Sequence, residues 1–250
     1  MFDFHCHFFN NENVKWFILN NGLNPETNRK VLNLDKKNYF KALGIHPTEV
    51  LKLTEDKIEN ELYFIEEKLK NKEIHAIGEV GLDYYWNKDP KIISFQKELF
   101  ERFIDLAEKY KVPLVVHSRE AEEDIVDLIT TMSETFPVVL HSFNYSRLDL
   151  VEDLLDYNTY FTVSFTYSKK FNYFVEKLPI EKILIESDYP YKSHGKTLEL
   201  VKKFLPKTIE KIAEIKKIEK KEAEKIIDKN SFEVLNIKNQ KLKFEKEKGK

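Results

Sequence analysis

Short apolar runs alternate along the chain with longer stretches in which apolar residues recur every three or four positions. Runs of the first kind predict buried strands and stretches of the second predict amphipathic helices. The first run, Phe2 to His7, alternates, so His5 and His7 fall on one face and Phe4 and Cys6 on the other. Phe8 to Asn13 is polar and too short for a helix with two turns, and a second strand is expected over Val14 to Leu19. A weak helix over Pro25 to Lys37 leads to a third strand, Ala42 to His46. Pro47 ends that strand and biases His46 towards extended backbone. Thr54 reads as the N-cap of a helix with Glu55 and Asp56 in its first turn and Ile58, Leu62, Ile65 and Leu69 on its inner face.

Strand four is expected over His75 to Val80, with Glu79 among Ala76, Ile77 and Val80. The next helix has the clearest start, Asp89 as N-cap and Pro90 behind it, and a stripe of Phe95, Leu99, Phe103 and Leu106. Pro113 opens strand five, Leu114 to His117. Ser118 reads as the cap of a helix that begins at Arg119 and buries Ile125, Leu128, Ile129 and Met132. Strands six to eight are Val138 to His141, Tyr160 to Phe165 and Ile183 to Glu186; Leu198 to Ile237 reads as helical. Eight strands with crossover helices point to a (β/α)8 TIM barrel of the α/β class, distorted by the missing first helix, with an open or thin wall there. A doubly wound sheet is the alternative, but its usual glycine-rich first turn is absent from His5-Cys6-His7-Phe8. No repeat or linker divides the chain, so residues 1–237 are expected as one barrel and 238–250 as a fraying lysine-rich tail.

Composition narrows this little. The 250 residues suffice for a full core, and 42% are apolar. Residues 196–250 hold 17 lysines against 10 acids, an excess that suits solvated helix faces better than a phosphate-binding surface. The single cysteine, Cys6, excludes an internal disulfide, reads as a small core residue and fits a reducing, cytoplasmic setting. No basic leader precedes the first apolar run and no run approaches the ~20 residues of a membrane span, so no membrane partner is expected.

The chemistry lies at the strand ends. Active sites of such barrels form at the C-terminal ends of the strands. His5 and His7 end strand one, His46 strand three, Glu79 strand four, His117 strand five, His141 strand six, and Asp188 follows strand eight. Each alone reads equally well as a core or cap residue; five imidazoles and two carboxylates on one rim do not. Such donors without cysteine suit zinc, manganese, iron, nickel or cobalt. They are too many for one catalytic ion and fit two, about 3.5–4 Å apart, with Glu79 placed to bridge.

Asp3-Phe4-His5-Cys6-His7, Gly44-Ile45-His46-Pro47, Gly78-Glu79-Val80-Gly81-Leu82-Asp83-Tyr84-Tyr85, Val116-His117-Ser118-Arg119-Glu120-Ala121, Leu140-His141-Ser142-Phe143 and Glu186-Ser187-Asp188-Tyr189-Pro190-Tyr191, in this order, resemble the TatD-type metal-dependent hydrolases of the amidohydrolase-like barrels. The resemblance runs to about residue 237. It implies one divalent ion held by His5, His7, Glu79 and Asp188, and a second by Glu79, His117 and His141, with magnesium, manganese or zinc as the cofactor; the donor types alone also admit nickel or iron. It also implies a DNase, often exonucleolytic, with DNA as substrate and His46 and Arg119 meeting its phosphate. In that scheme a hydroxide bridging the ions attacks phosphorus, and Glu79 and Asp188 are the catalytic carboxylates, Asp188 taking the proton. Tyr84, Tyr85 and Trp86 either stack bases or pack as a lid on the rim. The same metals would serve a small ester, amide or lactone, and a non-catalytic metal-binding scaffold is the third reading. No obligate protein partner is evident. Three departures from the resemblance stand out: the short first crossover, Ser142-Phe143-Asn144-Tyr145 after the strand-six histidine, and the reduced loop Ser193-His194-Gly195-Lys196, whose His194 and Lys196 either touch phosphate or are solvated.

Overall fold

The structure, a computed structural model, describes residues 1–9, 13–131, 135–166, 168–192 and 197–237. Met132, the loop 193–196 with His194 and Lys196, and the lysine-rich tail 238–250 lie outside the described residues. Eight parallel strands pair in chain order. They are β1 (Phe2–Cys6), β2 (Phe17–Asn21), β3 (Tyr39–Leu43), β4 (Ala76–Asp83), β5 (Leu114–Arg119), β6 (Val138–His141), β7 (Thr159–Val163) and β8 (Ile183–Ile185). The helices are α1 (Pro25–Leu32), α2 (Glu55–Lys70), α3 (Pro90–Tyr110), α4 (Glu122–Thr130), α5 (Leu148–Leu154), α6 (Lys169–Lys177), α7 (Leu198–Lys216) and α8 (Lys220–Val234). A 3-10 turn, Pro47–Lys52, precedes α2. The barrel closes just past β8: Asp188 N–H donates to the His5 carbonyl at 2.9 Å and His7 N–H to the Tyr189 carbonyl at 2.7 Å.

Local chemistry sets the helix starts. Asn24 and Thr27 form a capping box on α1. Asp89 accepts from Lys91 N–H ahead of Pro90 on α3, as its sequence predicts. Thr54 holds the N-cap position of α2 without a side-chain bond, while Ile58, Leu62, Ile65 and Leu69 are buried as expected. Two apolar layers result. Ile18, Leu43, Val80, Val116, Leu140 and Val163 face the helices. Phe2, Phe4, Phe17, Leu19, Phe40, Val115, Val139 and Leu184 fill the barrel floor, with Phe232 of α8 edge-on to Phe2 and Phe17.

Several expectations need correction. Strict alternation puts Phe4 opposite His5, yet Phe4 joins the floor cluster and Cys6 the outer one. The register of β1 against β2 shifts between Asp3 and Cys6, and that irregularity turns the following side chains round. A second shift, between Ile77 and Val80, does the same for β4. Strand β4 also runs three residues past Val80, to Asp83. Gly81 makes this possible: a Cβ there would lie 2.2 Å from the His117 carbonyl oxygen. Ser118 is not a helix cap, and Arg119 does not begin a helix. The ladder pairing Asp83 with Arg119 keeps both in strand, and α4 starts after Ala121. Strands β2 and β3 are displaced by a few residues from their expected spans, and the helical C-terminal region is two helices broken at Lys217, in the left-handed region. Among the described residues no helix lies between β1 and β2. Phe8, Val14 and Trp16 are buried in the outer cluster there, so the wall is covered rather than open.

Candidate metal centre

The register irregularities and the β8–β1 closure bring the rim residues together. Glu79 sits in the middle, 3% exposed. Its Oε2 is 3.3 Å from His5 Nε2 and 3.5 Å from His7 Nε2. Its Oε1 is 2.7 Å from His117 Nδ1, 3.4 Å from His46 Nε2 and 3.7 Å from His141 Nε2. Asp188 Oδ1 lies 3.5 Å from His7 Nε2 and 3.9 Å from His5 Nε2. Asp188 has a left-handed backbone, φ 51°, a conformation aspartate tolerates better than most residues. All six residues expected to hold metal are therefore gathered here. Their ligand atoms form three overlapping groups: His5, Glu79 and His141; His5, His7 and Asp188; His46, Glu79 and His117. His46, expected to meet phosphate, thus also stands among the ligand-type side chains. Arg119 lines the same cleft, with its guanidinium 3.8 Å from the Tyr85 ring centre.

Hydrogen bonds on the outer side of each imidazole decide what the inner side offers. His7 Nδ1 donates to the Asn21 carbonyl at 2.8 Å. His141 Nδ1 donates to Glu186 Oε2 at 2.6 Å. His117 Nε2 donates to Asp83 Oδ2 at 3.1 Å. Each bond fixes the proton on the outer nitrogen and leaves an inward lone pair. Three imidazole lone pairs and two carboxylates then converge, with His5 Nε2 and His7 Nε2 only 3.1 Å apart. A set of acceptors facing one another is satisfied by cations, so the residues fit divalent metal.

The field at the centre of the group favours positive charge, so at His117 a proton competes with a metal ion for the inward nitrogen. Burial pushes the Glu79 carboxyl up, but the charges of His46, His5 and His141 and the His117 bond outweigh it and hold it well below the usual range. Burial pulls His117 down, yet its bonds to Asp83 and Glu79 raise it to about 9. His46 is lowered chiefly by burial, against the pull of Glu79.

Two supporting groups had no role in the sequence reading. Asp83 ends β4 and accepts from His117 and, through Oδ1, from Tyr85 N–H at 3.0 Å. Glu186, fully buried, accepts from His141, Ser142 Oγ at 2.6 Å, Thr162 Oγ1 and Lys192 Nζ at 2.6 Å. Both acids stand within the quoted motifs, and that was their only signal.

A model of the family described as TatD related DNase matches residues 2–236. The chain belongs to this family. It is similar to the uncharacterized metal-dependent hydrolase YabD of Bacillus subtilis, 31% identical over 207 residues, covering 79% of this chain and 78% of that protein. It is also similar to the human 3'-5' RNA nuclease TATDN2, 32% identical over 157 residues, covering 60% of this chain and 20% of that much longer protein. A crystal structure of the TatD homologue YJJV from Escherichia coli superposes with a TM-score of 0.75 at 21% identity, covering 89% of this chain and 87% of that one. That likeness speaks for the barrel. The chain is a metal-dependent hydrolase of the TatD nuclease type. No described helix is long and apolar enough to cross a membrane.

Proposed function

We propose that this TatD-family hydrolase cleaves phosphodiester bonds of DNA, working inwards from a strand end, in the cytoplasm. The observation that carries the proposal is Glu79, within 3.7 Å of five imidazole nitrogens and beside a cleft edged by Arg119. His5, His7, Glu79 and Asp188 would hold one divalent ion and Glu79, His117 and His141 a second, with residues 1–237 as the catalytic unit. Bound there, such ions supply Lewis acidity to a phosphoryl oxygen and acidify water.

The remaining work falls to the chain. Asp188 is the more accessible carboxylate, its side chain 13% exposed against 4% for Glu79, so it takes the proton of the attacking water and hands it to the leaving oxygen. Arg119 pairs with the phosphate next to the scissile bond, and His46 donates to a non-bridging oxygen. Asp83 and Glu186 hold His117 and His141 in their tautomers. The human relative's activity on RNA favours RNA as a second substrate. The test is digestion of end-labelled DNA and RNA strands, and of a lactone panel, by the manganese-loaded protein and by Glu79→Ala. Nucleotide release from DNA ends that Glu79→Ala abolishes is the expected result. Intact DNA alongside an opened lactone would overturn it.

A further inference from the structure

Trp86 is 68% exposed and Tyr85 47%, and Tyr191, which lines the same cleft, is 56% exposed. Trp86 and Arg119 line the same cleft as Glu79, His117 and Asp188, a cavity of about 490 Å³. Their arrangement is built. Tyr85 and Trp86 meet edge to face, 4.8 Å apart at 88°. The Arg119 guanidinium covers Tyr85 at 3.8 Å and lies 5.5 Å from the Trp86 ring centre. The β4–β5 register pairs Asp83 with Arg119, and Tyr84 N–H donates to the Arg119 carbonyl at 2.9 Å.

Asp83 joins this group to the metal centre. One carboxylate oxygen accepts from His117 Nε2 at 3.1 Å; the other accepts from Tyr85 N–H at 3.0 Å and Trp86 N–H at 3.4 Å. A single side chain thus fixes both a ligand-type imidazole and the loop bearing the aromatics. An exposed indole held at a set place over a cleft, with a cation beside it, suits a flat π-system attached to an anion.

We propose that Trp86, flanked by Tyr85 and Arg119, is a stacking platform for an unpaired nucleobase of the substrate strand, and that Asp83 sets its place relative to the metal centre. This rests on the nucleic-acid reading above. Arg119 then serves twice, holding Tyr85 and meeting the phosphate of the stacked nucleotide. A base inside a duplex has both faces covered by its neighbours, so the platform favours strand ends and unpaired strands.

The test is binding, kept separate from turnover. A short phosphorothioate oligothymidylate, which resists cleavage, and a base-free phosphorothioate strand of equal length are titrated into the manganese-loaded full chain and followed by fluorescence anisotropy. The unsubstituted protein is expected to bind the thymidylate strand about tenfold or more tightly than the base-free strand, the range of one stacked base. Trp86→Ala abolishes that preference without changing base-free binding, and Trp86→Phe restores most of it. Equal binding of the two strands by the unsubstituted protein, or a preference that survives in Trp86→Ala, overturns the platform. Hydrolysis of the ordinary phosphate strand is scored in parallel. A strand that is bound through Trp86 but never cut defeats the nuclease reading and leaves the platform standing; a strand cut equally well by Trp86→Ala, with no base preference in binding, defeats the platform alone.

Discussion

Replacing Asp83 by asparagine should disable His117 more than removing the side chain altogether. Asp83 Oδ1 accepts two backbone N–H groups, from Tyr85 at 3.0 Å and Trp86 at 3.4 Å, and Oδ2 accepts from His117 Nε2 at 3.1 Å. In Asp83→Asn the two amides hold the remaining oxygen in the Oδ1 position, because the flipped amide would point its hydrogens at two donors. The new –NH2 then faces His117 Nε2, which must accept. The imidazole proton moves to Nδ1, the nitrogen 2.7 Å from Glu79 Oε1, and that nitrogen can no longer bind a cation. Loss of an orienting partner costs about 10–100-fold in metal affinity, roughly 1.4–2.7 kcal/mol. An enforced wrong tautomer costs more, up to about 10⁴-fold in rate where an aspartate behind a catalytic histidine became asparagine. Asp83→Ala leaves the tautomer free and should stay within the lower range. Calorimetric titration of zinc into metal-free protein measures the affinities, and release of labelled nucleotides at saturating metal measures the rates. The expected order is unsubstituted, then Ala, then Asn. Zinc binding by Asp83→Asn as tight as that of the unsubstituted chain, or tighter than that of Asp83→Ala, refutes the tautomer argument.

Two further outcomes follow from groups outside the metal shell. Lys192→Met leaves the fully buried Glu186 without its cation and should cost about 3 kcal/mol, the low end for a broken buried pair, because the lysine side chain is 26% exposed. Chemical denaturation reads this, and Glu186→Gln in the same chain should recover part of it; a loss below about 1 kcal/mol would show the pair to be incidental. His75 is pushed down to about 4, first by burial and then by the Lys41 ammonium, and its Nδ1 accepts Lys41 N–H at 3.2 Å. The unfolded chain takes up that proton near pH 6.5 and the folded chain only near 4, so stability is full above about 6.5 and falls as pH drops to about 4, by at most about 3 kcal/mol. Urea unfolding of His75→Gln should lack this part of the fall; parallel curves for the two proteins contradict it.

The barrel was legible because its strands are short apolar runs and its helices carry proline, aspartate and regular stripes; Asp89-Pro90 and Val138–His141 stand where the pattern puts them. The rim histidines were legible because each follows such a run. What escaped depended on pairing. Gly81 reads as a strand terminator, yet its missing side chain lets the His117 carbonyl approach, so β4 continues to Asp83. Strand β2 ends in Asn20 and Asn21, both fully buried, which no hydropathy pattern marks as strand. Asn20 accepts from Phe8 N–H at 2.6 Å, steadying the chain as it leaves β1. Alternation misplaced Phe4, because one irregular pairing with β2 reverses the phase before His5. The bonds of Glu186 to His141 and Thr162 cross 45 and 24 residues of chain, and nothing local announces them.

The closure between β8 and β1 has a consequence for synthesis. Asp188 meets His5 and His7 only once the last strand lies beside the first. A ribosome delivers the two histidines more than 180 residues before the aspartate. Until then the nascent polypeptide carries imidazoles with no carboxylate from the far end to complete their group. Whatever hydrolytic capacity the finished molecule has is thereby withheld from copies that have not yet reached Asp188, including those emerging beside messenger RNA.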